Sequence, residues 1–267
     1  MYLNVGGHRA YAYTAGRSID GNKPTAVFVH GAANDHSVWA LQSRYFAYHG
    51  WNVLAVDLPG HGKSQGNARE SIEALAHWVM ELLDAAGVAR AALIGHSMGS
   101  LVSLHAAASE PARVARLALV GTAIPMAVSE ALLASSKAND HVAFEMINAY
   151  SHSPAAQIGG NRVPGLWMLG NNLRLMERSA PGVLHADFVA CNSYTAGLEA
   201  AGKIACPVLL ILGKRDLMTP MKSARELAAR LKDAKVVALD GAGHALMAEK
   251  PDEVLDALIG FLTGRDP

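Results

Sequence analysis

One serine of the chain lies in a pentapeptide whose residue types suit nucleophilic catalysis. Ser97 is the centre of Gly95-His96-Ser97-Met98-Gly99, between an apolar run typical of a strand and a segment typical of a helix. A Gly-x-Ser-x-Gly turn in this context holds the serine in a strained backbone conformation, which small flanking residues permit. The hydroxyl then lies above the sheet at a helix N-terminus, where peptide dipoles favour negative charge. The pattern indicates a nucleophile, and its alternative interpretation is a small residue at a tight turn.

Two residues far along the chain could activate this serine. A serine hydroxyl is a weak nucleophile unless a base removes its proton and a third group orients that base. Asp216 in Gly-Lys-Arg-Asp and His244 in Gly-Ala-Gly-His each follow a strand-like run. Because ligands bind outside the carboxyl ends of the strands in open α/β sheets, we expect both at the same edge as Ser97. Asp240, at the end of the run before His244, is the competing acid.

The elements that position these residues alternate between short β-rich runs and longer helical patterns. This alternation predicts a mainly parallel α/β sheet flanked by helices. The opening segment around Gly6-Gly7 predicts an antiparallel hairpin at the sheet edge. The buried strands are predicted at Ala26–His30, Asn52–Asp57, Ala91–Gly95, Leu117–Gly121, Val208–Gly213 and Val236–Asp240, and the helices between them at Ser37–His49, Glu70–Ala86, Met98–Glu110, Lys222–Leu231 and Pro251–Leu262.

Residues 122–203 interrupt this alternation, because they contain no strand-like run. Such a long stretch is not a simple loop in a compact domain, so we interpret it as a helical insertion between core residues 1–121 and 204–267. The insertion leaves from the carboxyl end of a predicted strand, and it is expected to cover the catalytic edge as a cap. Its helices are predicted at Val128–Ser136, His141–Tyr150, Leu166–Glu177 and Val183–Glu199.

The composition favours a small-molecule partner. Lys plus Arg equals Asp plus Glu at 23 each, without the basic stripe or acidic tail that nucleic acid or an anionic membrane surface would require. Cys191 and Cys206 have neither CxxC nor zinc-ligand spacing, and no histidine has partners at ligand spacing. No Gly-x-Gly-x-x-Gly opens a helix after a strand. We therefore expect no metal and no cofactor, and leave open a homo-oligomer.

The N-terminal segment lacks the basic and apolar regions of a signal peptide. No apolar run approaches the roughly 20 residues that span a bilayer. A cytoplasmic protein without a membrane partner is the expectation.

A resemblance to a known family rests on motifs that occur in its order. HGAAND (His30–Asp35), DLPGHGKS (Asp57–Ser64), GHSMGS, GKRD and GAGH are similar to the motifs of the α/β-hydrolase fold superfamily, and the chain resembles its capped, single-domain serine hydrolases over nearly its whole length. The resemblance implies an eight-stranded, mainly parallel sheet. It implies Ser97 as nucleophile, Asp216 as orienting acid and His244 as general base. It also implies an oxyanion hole from the backbone N–H groups of Ala32 and Met98.

The expected substrate is small and largely apolar. Trp39, Phe144 and Trp167 are the candidate pocket walls, whereas Arg162 and Arg174 are better interpreted as solvated surface residues than as a carboxylate clamp. The leading hypothesis is a serine hydrolase that cleaves a carboxylic ester, thioester or lactone through an acyl-enzyme. The alternatives are a C–C bond hydrolase of the meta-cleavage type, whose usual glycine-rich HGxGPG loop and GxSxGG elbow are missing here, and a non-catalytic receptor for a small ligand.

Overall fold

An eight-stranded sheet forms the centre of the protein, whose computed structural model describes residues 1–160 and 166–264. The strands are β1 (Tyr2–Val5), β2 (His8–Tyr13), β3 (Thr25–Val29), β4 (Asn52–Val56), β5 (Ala91–His96), β6 (Val114–Val120), β7 (Val208–Gly213) and β8 (Ala234–Leu239). They lie in the order β1-β2-β4-β3-β5-β6-β7-β8, and every pairing from β4 to β8 is parallel. This is the predicted α/β-hydrolase fold.

The two ends of the sheet differ in how they pair. β1 and β2 form an antiparallel hairpin with Val5 opposite His8, and Gly6 and Gly7 occupy its turn at φ of 56° and 82°. Two positive φ values suit the tight turn that matches the twist of a hairpin, and glycine adopts them without strain. β2 then pairs antiparallel with β4 and joins the hairpin to the parallel strands.

Helices cover both faces of the sheet. They are α1 (Ala40–Tyr48), α2 (Ile72–Ala85), α3 (Met98–Ser109), α4 (Glu130–Lys137), α5 (Val142–Ser151), α6 (Pro154–Gln157), α7 (Met168–Met176), α8 (Val183–Ser193), α9 (Gly197–Lys203), α10 (Arg225–Arg230), α11 (Leu246–Glu249) and α12 (Pro251–Thr263). Short 3₁₀ turns at His36–Trp39, Pro111–Arg113 and Met221–Ala224 precede α1, β6 and α10. In residues 1–160 and 166–264, no helix has the length and apolar character to cross a membrane.

The strands β3, β4, β5 and β7 are buried on both faces, which explains their continuous apolar runs. The edge strand β8, predicted as buried, is exposed or half-buried at every position except Leu239. Along β3, Val27 and Val29 pack into one core cluster with residues of α2 and α3, whereas Ala26 and Phe28 pack into a second cluster with α1 and α12. Because side chains of a strand alternate between faces, an apolar residue is needed at every position. Each fully buried large side chain contributes about 1.5 to 3 kcal/mol through removal from water.

The inserted helices, α4 to α9, lie between β6 and β7 in the chain. A third cluster joins Leu132 of α4, Met176 of α7 and Phe188 of α8 to Ala33, which belongs to the loop after β3. The segment predicted as one helix at Val183–Glu199 consists of α8 and α9, and Ala200 of α9 lies in the main core cluster. The division into core residues 1–121 and 204–267 and an insertion of residues 122–203 stays a prediction.

Candidate active site

The turn between β5 and α3 holds Ser97 in a backbone conformation that few residues adopt. Its φ is 53° and its ψ is −123°, in the half of backbone space where L-residues are strained. The chain approaches itself closely on both sides. A Cβ at position 95 would collide with the carbonyl oxygen of Gly99, and a Cβ at position 99 would collide with that of Val29. Glycine is therefore required at both positions of the motif.

Hydrogen bonds fix this turn against the neighbouring strand. The Ser97 N–H donates to the carbonyl oxygen of Val120 in β6 (3.0 Å). The Ser100 hydroxyl lies 2.6 Å from the Ser97 carbonyl oxygen and 2.8 Å from the hydroxyl of Thr122, the second residue after that strand. The strained serine is thus supported from the first turn of α3 and from the end of β6.

Asp216 and His244 meet at the same edge of the sheet, from the loops after β7 and β8. His244 Nδ1 lies 2.8 Å from Asp216 Oδ2, and both residues are 5% exposed. The other carboxylate oxygen accepts the N–H groups of Met218 and Thr219, each at 2.8 Å. Burial alone would raise the pKa of Asp216, but the charge and hydrogen bond of His244, with the bonds from Thr219, hold it well below its ordinary value. Asp216 therefore carries a negative charge beside the imidazole.

The competing acid lies elsewhere. Asp240 is exposed and pairs with Lys214 at 2.8 Å. Its side chain is 87% exposed, so the pair is a solvated surface contact.

His244 packs beside the end of β6, where the Ser97 turn is anchored. A Cβ on Gly121 would lie 3.2 Å from His244 Nδ1, and Gly121 follows the residue that accepts the Ser97 N–H. The His96 ring lies 4.8 Å from the His244 ring between centroids. Ser97 and His244 line one cavity, and no hydrogen bond joins them among the described contacts. In unliganded enzymes such bonds are often long and shorten when substrate binds.

Of the two residues expected to supply an oxyanion hole, Ala32 lines this cavity and Met98 directly follows Ser97, which lines it. Met98 is the first residue of α3. The first N–H groups of a helix have no partner within it. Throughout the described residues, no hydrogen bond uses the N–H of either residue. Both donors are free for an oxygen of a substrate.

The cavity has a volume of about 500 Å³, within the range of small-molecule sites. Its wall is largely apolar, with contributions from Leu41, Ile147, Met168, Phe188, Met218 and Met247. No carboxylate side chain lines it among the residues that the structure describes. Arg174 and Arg178 lie at its wall with side chains 70% and 65% exposed, paired with Glu177 and Asp35.

The three aromatic residues predicted as pocket walls do not line this cavity, so these predictions are corrected. Trp39 is fully buried in the core, with its ring 5.4 Å from that of Phe28. Phe144 packs among the inserted helices. Trp167 is 69% exposed, and its ring lies against Gly170 in the first turn of α7. Arg162 lies outside the described residues.

Three of the other buried histidines near the site, His30, His61 and His96, have hydrogen-bond partners of their own. His30 accepts the Leu58 N–H at Nε2 (3.1 Å), and burial, aided by the charge of His61, lowers its pKa to about 4. His96 lies 2.9 Å, through Nε2, from the His244 carbonyl oxygen, and burial, aided by the charge of His244, lowers its pKa to about 3. Both stay neutral near pH 7. His61 has an acidic partner, Asp187, at 2.9 Å.

One group of side chains has the composition of a metal site. Asp35, His36 and Asp57 offer ligand atoms within 4.8 Å of one another. These atoms already have partners, because Asp57 Oδ1 accepts from the N–H and ring nitrogen of His36, and Asp35 accepts from Ser37 and Arg178. These hydrogen bonds explain the group: they join the loop after β3, which carries Asp35 and His36, to the loop after β4, which carries Asp57.

Three residues that hold the candidate catalytic loops were not predicted from the sequence. Thr219 donates its hydroxyl to Asp216 Oδ2 at 2.7 Å. The carbonyl oxygen of Ser151 accepts the N–H groups of His244 and Ala245 at 2.7 and 2.9 Å. Asp187 accepts the Ala33 N–H at 2.9 Å. Only Asp187 left a signal in the sequence, as a lone acid within the apolar helix Val183–Ser193.

The sequence and the fold of this chain are similar to those of known proteins. Residues 24–251 match the model of the alpha/beta hydrolase fold family, and the chain belongs to that family. It is 32% identical over 248 residues to the pimeloyl-[acyl-carrier protein] methyl ester esterase of Aromatoleum aromaticum, covering 87% of this chain and 95% of the relative. It is 24% identical to the (E)-2-((N-methylformamido)methylene)succinate hydrolase of Acinetobacter baylyi, covering 88% of this chain and 89% of that protein.

Among solved structures, the enol-lactonase from Burkholderia xenovorans LB400 superposes with a TM-score of 0.87 at 25% identity. The match covers 98% of this chain and 100% of the enol-lactonase chain. The agreement therefore includes the inserted segment as well as the sheet.

Proposed function

We propose that this protein is a serine hydrolase that cleaves a small, largely apolar carboxylic ester, thioester or lactone through an acyl-enzyme. The observation that carries the proposal is the convergence at one cavity of a strained serine turn and a histidine held by a buried carboxylate at 2.8 Å. Relatives named as an ester esterase and an enol-lactonase support the bond class.

The roles follow from which atoms are already engaged. Asp216 holds Nδ1 of His244, so Nε2 is the nitrogen left to take the proton of Ser97 as the hydroxyl attacks the carbonyl carbon. The oxygen of that carbonyl becomes negative and is stabilised by the N–H groups of Ala32 and Met98. His244 then gives its proton to the leaving alcohol, thiol or ring oxygen. In the second half it activates water, which releases the acid from Ser97.

The inserted helices act as a cap that limits the size of the substrate. A volume of about 500 Å³ with a largely apolar wall favours a small ligand. Methionine side chains such as Met168, Met218 and Met247 can adapt to ligands of irregular shape. Since no described carboxylate lines the cavity, an uncharged acyl group or one of negative charge enters without repulsion from an acid.

The test is turnover of p-nitrophenyl esters of increasing chain length beside an enol-lactone, a thioester and a dienone C–C substrate. We expect fastest hydrolysis of short or medium esters or of the lactone. Ser97→Ala is expected to lower kcat by about 10⁶-fold, as for other triad nucleophiles. Ser193→Ala, at an exposed serine whose hydroxyl donates to the Val189 carbonyl oxygen of its own helix, is the control.

Either of two results would contradict the proposal and favour another function. Preferred cleavage of the dienone by the wild-type protein favours a C–C hydrolase that uses the same residues. A folded wild-type protein that neither turns over any substrate nor accepts a fluorophosphonate on Ser97, as mapped by mass spectrometry, favours a receptor for a small ligand.

A further inference from the structure

A buried carboxylate of the inserted helices contacts the loop that carries one proposed oxyanion donor. Asp187 of α8 is fully buried. Its Oδ2 accepts the N–H of Ala33 at 2.9 Å across 154 positions of the chain. A buried carboxylate is costly unless it is paired and hydrogen-bonded, so its presence in an apolar helix requires a reason.

His61 supplies the compensating charge. Its Nε2 lies 2.9 Å from Asp187 Oδ2, and its Nδ1 lies 3.0 Å from the carbonyl oxygen of Pro59. Both oxygens accept hydrogen bonds, which favours an imidazolium with a proton on each nitrogen. A charged His61 also offsets the negative charge of Asp187 near the place where an oxyanion would form.

The backbone that Asp187 holds is strained. Ala33 has a φ of 52°, in the left-handed region that a residue with a Cβ seldom adopts. The Ala33 carbonyl oxygen accepts from the Ser179 hydroxyl at 3.3 Å, and its methyl group packs with Phe188 and other residues of the inserted helices. Such a conformation persists only when the surroundings determine it, and strain of this kind is common at functional sites.

We propose that Asp187, with His61, is a positioning residue that sets the oxyanion hole. Its bond to the Ala33 N–H fixes the plane of the peptide that joins Ala32 to Ala33, and this fixes the position of the Ala32 N–H one residue earlier. Asp187 does not touch the reacting atoms. This inference rests on the proposed serine hydrolase function and assigns a role in it to the inserted helices.

The test compares Asp187→Ala with Asp187→Asn in steady-state hydrolysis of the best ester. In Asp187→Ala the Ala33 N–H loses its acceptor, and we expect kcat to fall about 10- to 100-fold, less than the loss of a whole oxyanion donor. KM should change less than about 3-fold, since the cavity wall is kept. Asp187→Asn can place its amide oxygen at the position of Oδ2, accept both bonds and restore kcat to within about 5-fold of the wild type.

A second readout separates positioning from general loss of structure. A trifluoromethyl ketone forms a tetrahedral oxyanion adduct on a reactive serine, so its inhibition constant in Asp187→Ala should rise by the same factor as kcat falls. The matched control is Cys191→Ala, one turn along α8 and 4% exposed within the main core cluster. It should lower the thermal midpoint without changing kcat or the inhibition constant.

Three outcomes would overturn the inference: full kcat in a folded Asp187→Ala, a loss of kcat with unchanged inhibitor affinity, or an equal loss in Cys191→Ala. If Asp187→Ala does not fold, Asp187→Asn provides the test. The inference is then overturned if Asp187→Asn lowers kcat more than about 100-fold and leaves the inhibitor affinity unchanged. These outcomes differ from failure of the proposed function, in which the wild-type protein itself shows neither turnover nor labelling of Ser97.

Discussion

The inserted helices hold the two candidate catalytic loops by different chemistry. On the side of the loop after β3, a buried side-chain carboxylate, Asp187, accepts a backbone N–H. On the side of the loop after β8, the backbone carbonyl oxygen of Ser151 accepts the N–H groups of His244 and Ala245. We name these the oxyanion junction and the histidine junction. The first depends on an ionisable pair, and the second on main chain that substitution leaves in place.

This difference predicts which of the two junctions is sensitive to single substitutions and to pH. A main-chain carbonyl needs no compensating charge and behaves the same at every pH near neutrality. A buried carboxylate needs a counter-charge, and here His61 provides it at 2.9 Å. The oxyanion junction is therefore expected to respond to single substitutions and to pH, whereas the histidine junction should change only when its supporting side chains are removed.

Apart from loss of the nucleophile itself, the largest effect is expected when the charge beside His244 is removed and both junctions are left intact. In Asp216→Asn the Nδ1 of His244 faces a side chain that no longer favours the required tautomer or the imidazolium. If the proposed function holds, we expect kcat to fall about 10⁴-fold, as in known Ser-His-Asp triads that lose this carboxylate, with little change in KM. The control Asp240→Asn, at the exposed rival acid, should keep wild-type kcat. A loss confined to Asp240→Asn would reassign the acid.

A smaller effect is expected from substitution of Glu249, whose carboxylate bonds to both sides of the histidine junction. Its Oε1 accepts the Gly243 N–H at 3.0 Å, and its Oε2 accepts the Ser153 N–H at 3.1 Å. Glu249→Ala removes two charge-assisted bonds, which should lower the free energy of unfolding by about 2 kcal/mol. We expect kcat to fall about 10-fold, because the Ser151 carbonyl oxygen still holds the His244 N–H.

The matched control is Glu199→Ala, in an exposed pair with Lys203. Its free energy of unfolding should change by less than about 1 kcal/mol. If Glu249→Ala and Glu199→Ala prove equal by urea denaturation and by kcat, the histidine junction does not need its side-chain support.

The sheet and the positions of the candidate catalytic loops after its strands could be predicted from the sequence, because both follow local patterns. Continuous apolar runs gave β3, β4, β5 and β7 to within about two residues, and the Gly6-Gly7 turn gave the hairpin. β6 was the exception, since it begins at Val114 and includes Arg116. That arginine interrupts an apolar run, yet its guanidinium stacks over the Phe261 ring at 5.5 Å. Such a tertiary contact has no signature in a local window.

The walls of the site were not accessible in the same way. Trp39, Phe144 and Trp167 are large aromatic residues near the expected cavity, but sequence position does not say which face of an element each residue occupies. Trp39 faces the sheet, and Trp167 is largely exposed to solvent. Asp187 was accessible in principle, because an acid flanked by apolar residues in a helix indicates a buried partner. That its partners would be His61 and Ala33 depended on contacts across more than 100 positions.

The oxyanion junction should also show a pH dependence of its own. Burial lowers the pKa of His61, but the charge and hydrogen bond of Asp187, with smaller contributions from Pro59 and Asp57, raise it above the ordinary 6.5. The neighbouring His30 stays neutral. A raised pKa in the folded state gives stability that is fully present below pH 6.5 and is lost as pH rises through the folded value.

We therefore expect His61→Gln to lower the free energy of unfolding more at pH 6 than at pH 9. Between pH 6.5 and the folded pKa, the difference from the wild type should shrink by about 1.4 kcal/mol per pH unit. Urea denaturation at several pH values measures it. Glu249→Ala, at the histidine junction, should show a difference that is constant over this range. Equal pH dependence in both variants would remove the distinction between the junctions.

The smallest effect is expected from substitution of Arg178, which pairs with Asp35 in the loop after β3, near the oxyanion junction. Arg178 lies 3.2 Å from Asp35, but its side chain is 65% exposed, so water screens the pair. Arg178→Ala should change the free energy of unfolding by less than about 1 kcal/mol and kcat by less than about 2-fold. A larger loss of kcat, restored by Arg178→Lys, would mean that the exposed pair also fixes the loop that carries Ala32. In that case the junction would extend from the buried carboxylate to the surface, and Asp187 would share its role with Asp35.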